Sequence, residues 1–491
     1  MILISLILVP ALTTLAIVFA QNSKQVKVLS ATGMSIQLVQ SFYLLYAFLS
    51  ERAYGNAEPV LFYHRFPWYN SLSISFDIGV DGISVAMIVL TAIVIFTGVF
   101  ASWEVEDQYK EFFISLIVLA TGVFGFFISL DLFVMFLFFE LAVIPMYLLI
   151  GIWGSGKKEY SAMKLTLMLM AGSALLVVGI LGIYFNSDFN GHHSFNILEL
   201  VTQNFSMEMQ RIFFPLTFIG FGVIGALFPF HTWSPDGHSS APTAVSMLHA
   251  GVLMKLGGYG CLKVAIWLMP QAANELAWIF LILTSISVIY GALGVIAQTD
   301  LKYINAYSSV SHCGLVLFAL LMLNKTATTG AVIQMISHGL MTALFFALIG
   351  MLYSRTHTRI VHEMGGLMKV LPFLSACYVI AGLASLGLPG LSGFVAEMTI
   401  FVGAFQHPDW FHRFITIIAV SSIVITAVYI LRVVGTLLMG PVKNDEYNKF
   451  HPATWYEKLA TVSLIAGIVV IGIAPLWLSD MIMNSLGTIL D

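Results

Sequence analysis

Three ionisable residues stand in runs of apolar residues that offer them no obvious solvent. Glu140 lies in "FVMFLFFELAVIPMYLL" at 133–149, Lys255 in "HAGVLMKLGGYG" and Glu397 in "GLPGLSGFVAE". A charged side chain near a bilayer centre costs about 2.5–3.5 kcal/mol on insertion scales, so such residues face a bundle interior or a water-filled cavity. His231, His249, His312 and His338 fall inside or at the ends of similar runs. Imidazole gains and loses a proton near neutral pH. Two carboxylates, an amine and several imidazoles at one depth therefore have the chemistry of a proton relay. The competing reading is static: ion pairs that lock helices together, and core histidines that satisfy a hydrogen bond.

The elements that must position these groups are membrane helices. The chain of 491 residues is 59% hydrophobic and 9% charged, with a mean hydropathy of +0.93. Apolar stretches of about 20 residues, each long enough to span a bilayer, recur about fourteen times between Ile2 and Leu478. A spanning backbone must satisfy its own hydrogen bonds and the stretches lack strand-like alternation, so the reading is an all-α polytopic bundle. Its fifth segment is expected at 131–153, the sixth at 159–186, the seventh at 210–230, the eighth at 242–268, the twelfth at 371–405 and the fourteenth at 457–480. At 1.5 Å per residue Glu140 then lies about 14 Å from Asp131, and Lys255 about 20 Å from Pro242, so both sit near mid-depth.

Two segments carry the same punctuation. The seventh contains "GFGVIGALFPFHTWSPDG" and the twelfth "GLASLGLPGLSGF", each mixing glycines with proline. Broken helices at corresponding positions point to two structural repeats with an ion path between them.

Other polar residues have simpler first readings. Lys164 can snorkel to an interface. Arg432, deep in the thirteenth segment, needs a partner. Asp81 and Asp236 stand at helix entrances, where capping is the default. The string "GIWGSGKK" falls short of a nucleotide-binding loop, because Lys158 stands where Ser or Thr would hold magnesium and a membrane helix precedes it. Cys261, Cys313 and Cys377 show no metal-ligand or disulfide spacing and read as packing residues, so no metal site is expected. A formal net charge of −4 offers no basic stripe for nucleic acid.

Orientation follows from Lys and Arg. With the N terminus outside, the inner loops and their flanks hold most of them, from Lys24 and Lys27 through Lys157 and Lys158 to Lys443 and Lys449. The outer loops hold only Arg52, Arg65, Arg211, Lys325 and Arg413. Both termini are expected on the outer side, in a bacterial inner membrane on the periplasmic face. The first segment ends in "VFAQ" but has no basic residue before it, so it reads as a retained helix and not a cleaved leader.

The strings "FHTWSPDGHSSAPTAVSMLHAGVLMKLGGYG", "LKYINAYSSVSHCG", "QMISHGLMTALFFALIGMLY" and "GLPGLSGFVAE" together resemble the antiporter-like subunits of respiratory complex I, whose core is shared by Mrp-type sodium/proton antiporter subunits. The resemblance covers nearly the whole chain. It implies fourteen helices with helices 4–8 and 9–13 as inverted repeats, which divides the chain into 1–110, 111–270, 271–440 and 441–491. It implies a proton-translocating membrane-arm subunit, part of the NADH:quinone oxidoreductase enzyme, that couples quinone reduction elsewhere to proton transport. Flavin, iron–sulfur clusters and quinone would sit in other subunits, with no cofactor in this chain, and the partners would be the other membrane-arm subunits, including neighbouring antiporter-like ones. The family's proton-carrying positions fall on Glu140, Lys255 and Glu397, its polar links on His312 and His338, and its helix 6 lysine on Lys164.

One position departs from the family pattern. The lysine that usually pairs with the helix 5 glutamate falls on Ile224, and "IFFPLTFIGFGVIGALFPF" holds no basic residue. The cation opposite Glu140 should then be Lys164 or a residue of an adjoining subunit. A scaffold that has lost transport, and a subunit of a sodium/proton antiporter, remain the alternatives.

Overall fold

The computed structural model describes residues 1–189 and 191–490. The chain begins with α1 (Ile2–Phe19) and α2 (Ser23–Ala53), then β1 (Leu61–Tyr69), β2 (Ile74–Val80), α3 (Gly82–Ala101), α4 (Tyr109–Ile128), α5 (Leu132–Trp153) and α6 (Lys158–Asn186). The seventh segment is split into α7 (Met207–Ile224) and α8 (Trp233–Ser240), and α9 runs over 243–266. Then come α10 (Pro270–Ile296), α11 (Leu301–Leu320), α12 (Lys325–Thr356), α13 (Pro372–Ser385), α14 (Ser392–Phe405), α15 (Trp410–Leu438), α16 (Trp455–Ile473) and α17 (Leu476–Leu490). Among the described residues, 11 of these helices are long and apolar enough to cross a membrane. The eighth, tenth and twelfth predicted segments are the remainder: α9, α11 and the α13–α14 pair. The protein is an all-α multi-pass membrane bundle.

Two features differ from the sequence expectation. The long connection between α2 and α3 folds as an antiparallel hairpin, with Arg65 opposite Asp77 and Phe66 opposite Phe76. The hairpin is tied down: the Asp77 carbonyl accepts from Leu130 N at 2.8 Å, and Arg65 pairs with Glu199 at 2.7 Å. The fourteenth segment, expected as one helix over 457–480, ends at Ile473 because Pro475 cannot continue it, and α17 follows. Ser485 of α17 accepts from Gly82 N at 2.8 Å and docks the last helix on the start of α3. The C-terminal Asp491 lies outside the described residues.

Both predicted breaks are present, and each is satisfied by protein groups, as irregular backbone at membrane depth must be. At the first, Trp233 Nε1 donates to the Val223 carbonyl at 3.0 Å and Phe228 N donates to Ser287 Oγ at 2.8 Å. At the second, Gly387 has φ +64° and Gly390 has φ +92°. A Cβ on Gly387 would lie 2.8 Å from Glu397 Oε2, so the glycine both makes the turn and admits the carboxylate.

Lys255 sits in an unusual helix. α9 contains two π-helical stretches, His249–Leu253 and Cys261–Ile266, flanking Met254–Gly260. Such widened turns re-aim side chains and free carbonyls. α9 also meets α12 backbone to backbone, since a Cβ on Gly339 would lie 2.6 Å from the Gly251 carbonyl oxygen. That approach sets Lys255 beside His338.

Candidate functional site: a buried row of proton-carrying side chains

From α9 outward the groups follow one another. Lys255 Nζ donates to the Ala250 carbonyl one turn back and lies 2.8 Å from His338 Nδ1. An ammonium can only donate, so Nδ1 accepts, and the ring proton sits on Nε2, which faces Ser309 Oγ at 3.2 Å. The His338 and His312 rings are centred 5.3 Å apart. His312 Nδ1 meets Gln334 Nε2 at 3.0 Å and stands 3.9 Å from Glu397 Oε1, and its Nε2 is 3.5 Å from Ser385 Oγ. Lys255, His338, His312 and Glu397 are all buried. The last gap exceeds a hydrogen bond by an amount that a side-chain movement or one water closes.

A second arm reaches Lys255 from the other side. Asp236 accepts from Lys164 Nζ at 2.6 Å and from the Tyr303 hydroxyl at 3.1 Å. Asp236 and Tyr303 line a cavity of about 620 Å³, together with Lys157, Tyr160, Ser239 and Arg359. Between this cavity and Lys255 stand His238 and His249, with ring centroids 4.4 Å apart, and Trp233 stacks on His249 at 5.1 Å. Both rings are buried, and among the described residues none of their four nitrogens has a hydrogen-bond partner. Buried polar atoms are rarely left so, and such pairs mark places where water or a passing proton is accommodated.

The structure thus brings together Lys255, His338, His312, Glu397 and His249, and separates Glu140, Lys164 and His231 from them. Glu140 is half-buried on α5 and accepts a hydrogen bond from Ser173 of α6. Lys164 lies on that same helix two and a half turns away, paired with Asp236, so the expected Lys164–Glu140 pair does not form. The reason is that Asp236 does not cap its helix: Thr232 holds the cap position and the Asp236 carboxylate is free to draw in Lys164. His231 packs in the first break against Phe228 and Tyr290, with centroids at 5.6 and 4.9 Å. Arg432 finds the Ile296 carbonyl at 3.0 Å.

Sequence reasoning missed two groups. His238 stands in "WSPDGHSS", a stretch that reads as a helix entrance, and only the fold turns its ring inward. Lys263, two turns beyond Lys255, forms a buried ion pair with Asp81, which also caps α3 through Ser84 N at 2.8 Å. The signal was present: a second lysine in the apolar run of the eighth segment. Of the cysteines, all free and buried, Cys313 lies 3.9 Å from His338 Nδ1 and belongs to the lining of the row.

A membrane bundle with two broken helices and a buried lysine–histidine–carboxylate row between them is the architecture of an antiporter-like transport subunit. The chain belongs to the NADH:quinone oxidoreductase/Mrp antiporter transmembrane family, whose model matches residues 129–428. Within it the "HAGVLMKLGGYG" form points to subunit M, and the relatives agree. NADH-quinone oxidoreductase subunit M of Rickettsia bellii is 34% identical over 417 residues, covering 84% of this chain and 83% of the relative. NAD(P)H-quinone oxidoreductase chain 4-2 of Synechocystis is 38% identical over 379 residues, covering 77% and 67%. Among solved structures, a chain of respiratory complex I from Thermus thermophilus with bound NADH superposes with a TM-score of 0.88 at 23% identity, over all of both chains. A chain of the Mrp complex from Dietzia gives a TM-score of 0.83 at 16% identity, over 99% and 97%.

Proposed function

We propose that this chain moves protons across the membrane as an antiporter-like membrane-arm subunit of a respiratory NADH-quinone oxidoreductase. The observation that carries the reading is the contact of Lys255 with His338 inside a row that ends at Glu397. Protons arrive at the Asp236 cavity, pass the His238–His249 pair, load Lys255, and move over His338 and His312 to Glu397. Imidazoles and an amine carry protons and do not ligate sodium, which favours proton transport.

The redox chemistry belongs to other subunits, which hold the flavin, iron–sulfur clusters and quinone, and this chain holds no cofactor. The neighbours are other membrane-arm subunits. The Lys and Arg distribution supports a bacterial inner membrane location with both termini on the periplasmic side. The two broken helices support a division into inverted repeats, helices 4–8 and 9–13. Relatives named as quinone oxidoreductase subunits weigh against a separate sodium/proton antiporter, and the buried Lys255 and Glu397, without a static use, weigh against a scaffold.

The test is Lys255→Ala in the assembled complex, reconstituted in vesicles and driven by NADH and quinone. Proton uptake per quinone reduced should fall by this subunit's share while the complex still assembles. Undiminished uptake in an assembled variant would remove Lys255 from the path.

A further inference from the structure

The loop between α14 and α15 reads "HPDWFH" and gathers three metal-ligating side chains, His407, Asp409 and His412, away from the buried row. One ligand atom from each lies within 4.8 Å of the other two. Donors around a tetrahedral zinc, at about 2.0–2.2 Å from the metal, keep edges of about 3.4 Å, so a contraction of about 1.5 Å or less closes the set. Asp409 is exposed and both histidines are partly so, leaving room for that movement.

The hydrogen bonds around the cluster hold the rings in a ligating form. His407 Nε2 lies 2.6 Å from the Met322 carbonyl. A carbonyl can only accept, so Nε2 carries the proton and Nδ1 keeps its lone pair. Asn324 Nδ2 donates to the Gly403 carbonyl at 3.0 Å, and Arg413 Nε donates to the His407 carbonyl at 3.1 Å, closing the loop from behind. His412 Nδ1 faces Asp409 Oδ2 at 2.7 Å, so an ion that replaces the proton between them is held by both, while Asp409 Oδ1 caps α15 through His412 N at 2.9 Å. The His407 ring, fixed through Nε2 with Nδ1 left bare, has the outer-shell arrangement of metal-binding histidines. The two rings stack at 4.2 Å with 14° between their planes, which holds the imidazoles side by side.

We infer that His407, His412 and Asp409 form a surface site for a divalent transition-metal ion of the zinc class, with water completing the coordination. Two imidazoles and one carboxylate suit zinc, copper or nickel, and are a poor set for magnesium or calcium, which take oxygen ligands. The site joins the end of α14, which carries Glu397, to the Met322–Asn324 turn between the helices that carry His312 and His338. A bound ion therefore rests, through the His407 ring, on the turn that joins those two helices. The inference stands on the loop geometry alone and not on the transport reading.

Tag-free protein in detergent, titrated with Zn²⁺ against a chromophoric chelator, should take up about one ion per chain and gain thermal stability from it. Magnesium in excess should not displace the zinc. Loss of an outer-shell partner already costs about 10–100-fold in metal affinity, so His407→Ala and His412→Ala should each weaken binding by at least about tenfold. His451→Ala, an exposed histidine on another loop, should leave it unchanged. Asp409→Asn keeps the helix cap and should weaken binding in the same direction, which reads the site even if a histidine variant folds poorly. No stoichiometric uptake by the parent protein, or unchanged affinity in the folded variants, overturns the inference.

Discussion

The ion pair of Lys263 with Asp81 shows what a buried charge does when it is not part of the row. The pair is enclosed, with the Tyr259 hydroxyl 2.8 Å from Ser84 Oγ on one side and Trp267 facing the ammonium at 4.6 Å on the other. Breaking such a pair by removing one partner costs about 3–5 kcal/mol, because the other charge is left desolvated, whereas replacing both with groups of similar shape is close to neutral. Lys263→Met should therefore destabilise the protein by about that amount in a thermal or denaturant assay. The double variant Lys263→Met with Asp81→Asn, which keeps the α3 cap, should recover most of the loss. If the single and double variants are equally unstable, the lysine acts through packing and not charge. Legibility in the sequence follows the same division. Glu140, Lys255, Glu397, His312 and His338 were visible because an ionisable residue in an apolar run is conspicuous in any fold. Their pairing was not, since it depends on which helices cross: Lys164 goes to Asp236, and Lys263 finds Asp81, 182 positions away in the chain.

At the scale of elements, the two breaks were legible because glycine and proline interrupt an apolar segment for reasons local to the backbone. The hairpin after α2 was not, because "LFYHRFPWY" contains Pro67, and Arg65 of this strand and Asp77 of the next are held by contacts to Glu199 and Leu130 that no local pattern announces. The π-helical stretches of α9 were equally silent, and so was the crossing of α9 with α12, which the first of them meets. That crossing depends on Gly251 and Gly339. A methyl on Gly339 would meet the Gly251 carbonyl at 2.6 Å and Leu90 side-chain carbons at 2.8 and 2.9 Å, and a backbone atom cannot swing aside as a side-chain tip can. Gly339→Ala should push the helices apart and lengthen the Lys255–His338 contact. A misplacement of about 1 Å in a transfer path can cost about a hundredfold, so coupled proton uptake should fall by about ten- to a hundredfold through this subunit. Assembly, followed by native gel, should persist. Normal uptake in that variant would show that the crossing does not set the transfer distance.

At the scale of the whole molecule, Glu140 is placed apart from the other charges among the described residues. It sits where α5 and α6 turn an apolar surface outward, among exposed Ile144, Leu167, Met170 and Val178, and accepts a hydrogen bond from Ser173. The family's usual partner position, Ile224, is close by: Phe139 and Phe221 of the same two helices have ring centroids 6.3 Å apart, and α6 crosses α7 with Gly172 against Val223. A carboxylate at membrane depth with no internal cation is costly. The compensating charge should come from a neighbouring subunit docked on the α5–α6 face. Two variants separate this from a packing role. Glu140→Gln keeps the shape, so the complex should assemble, but pumping coupled to quinone reduction should fall. Ile224→Lys should be tolerated beside Glu140, because the new ammonium gains a partner there. In the Glu140→Gln background the same lysine has none, and accumulation of the assembled complex should drop sharply, as a double-mutant cycle over both positions would read. If Ile224→Lys is tolerated equally in the two backgrounds, the positions do not face each other, and the search for the partner of Glu140 moves entirely to the adjoining chain.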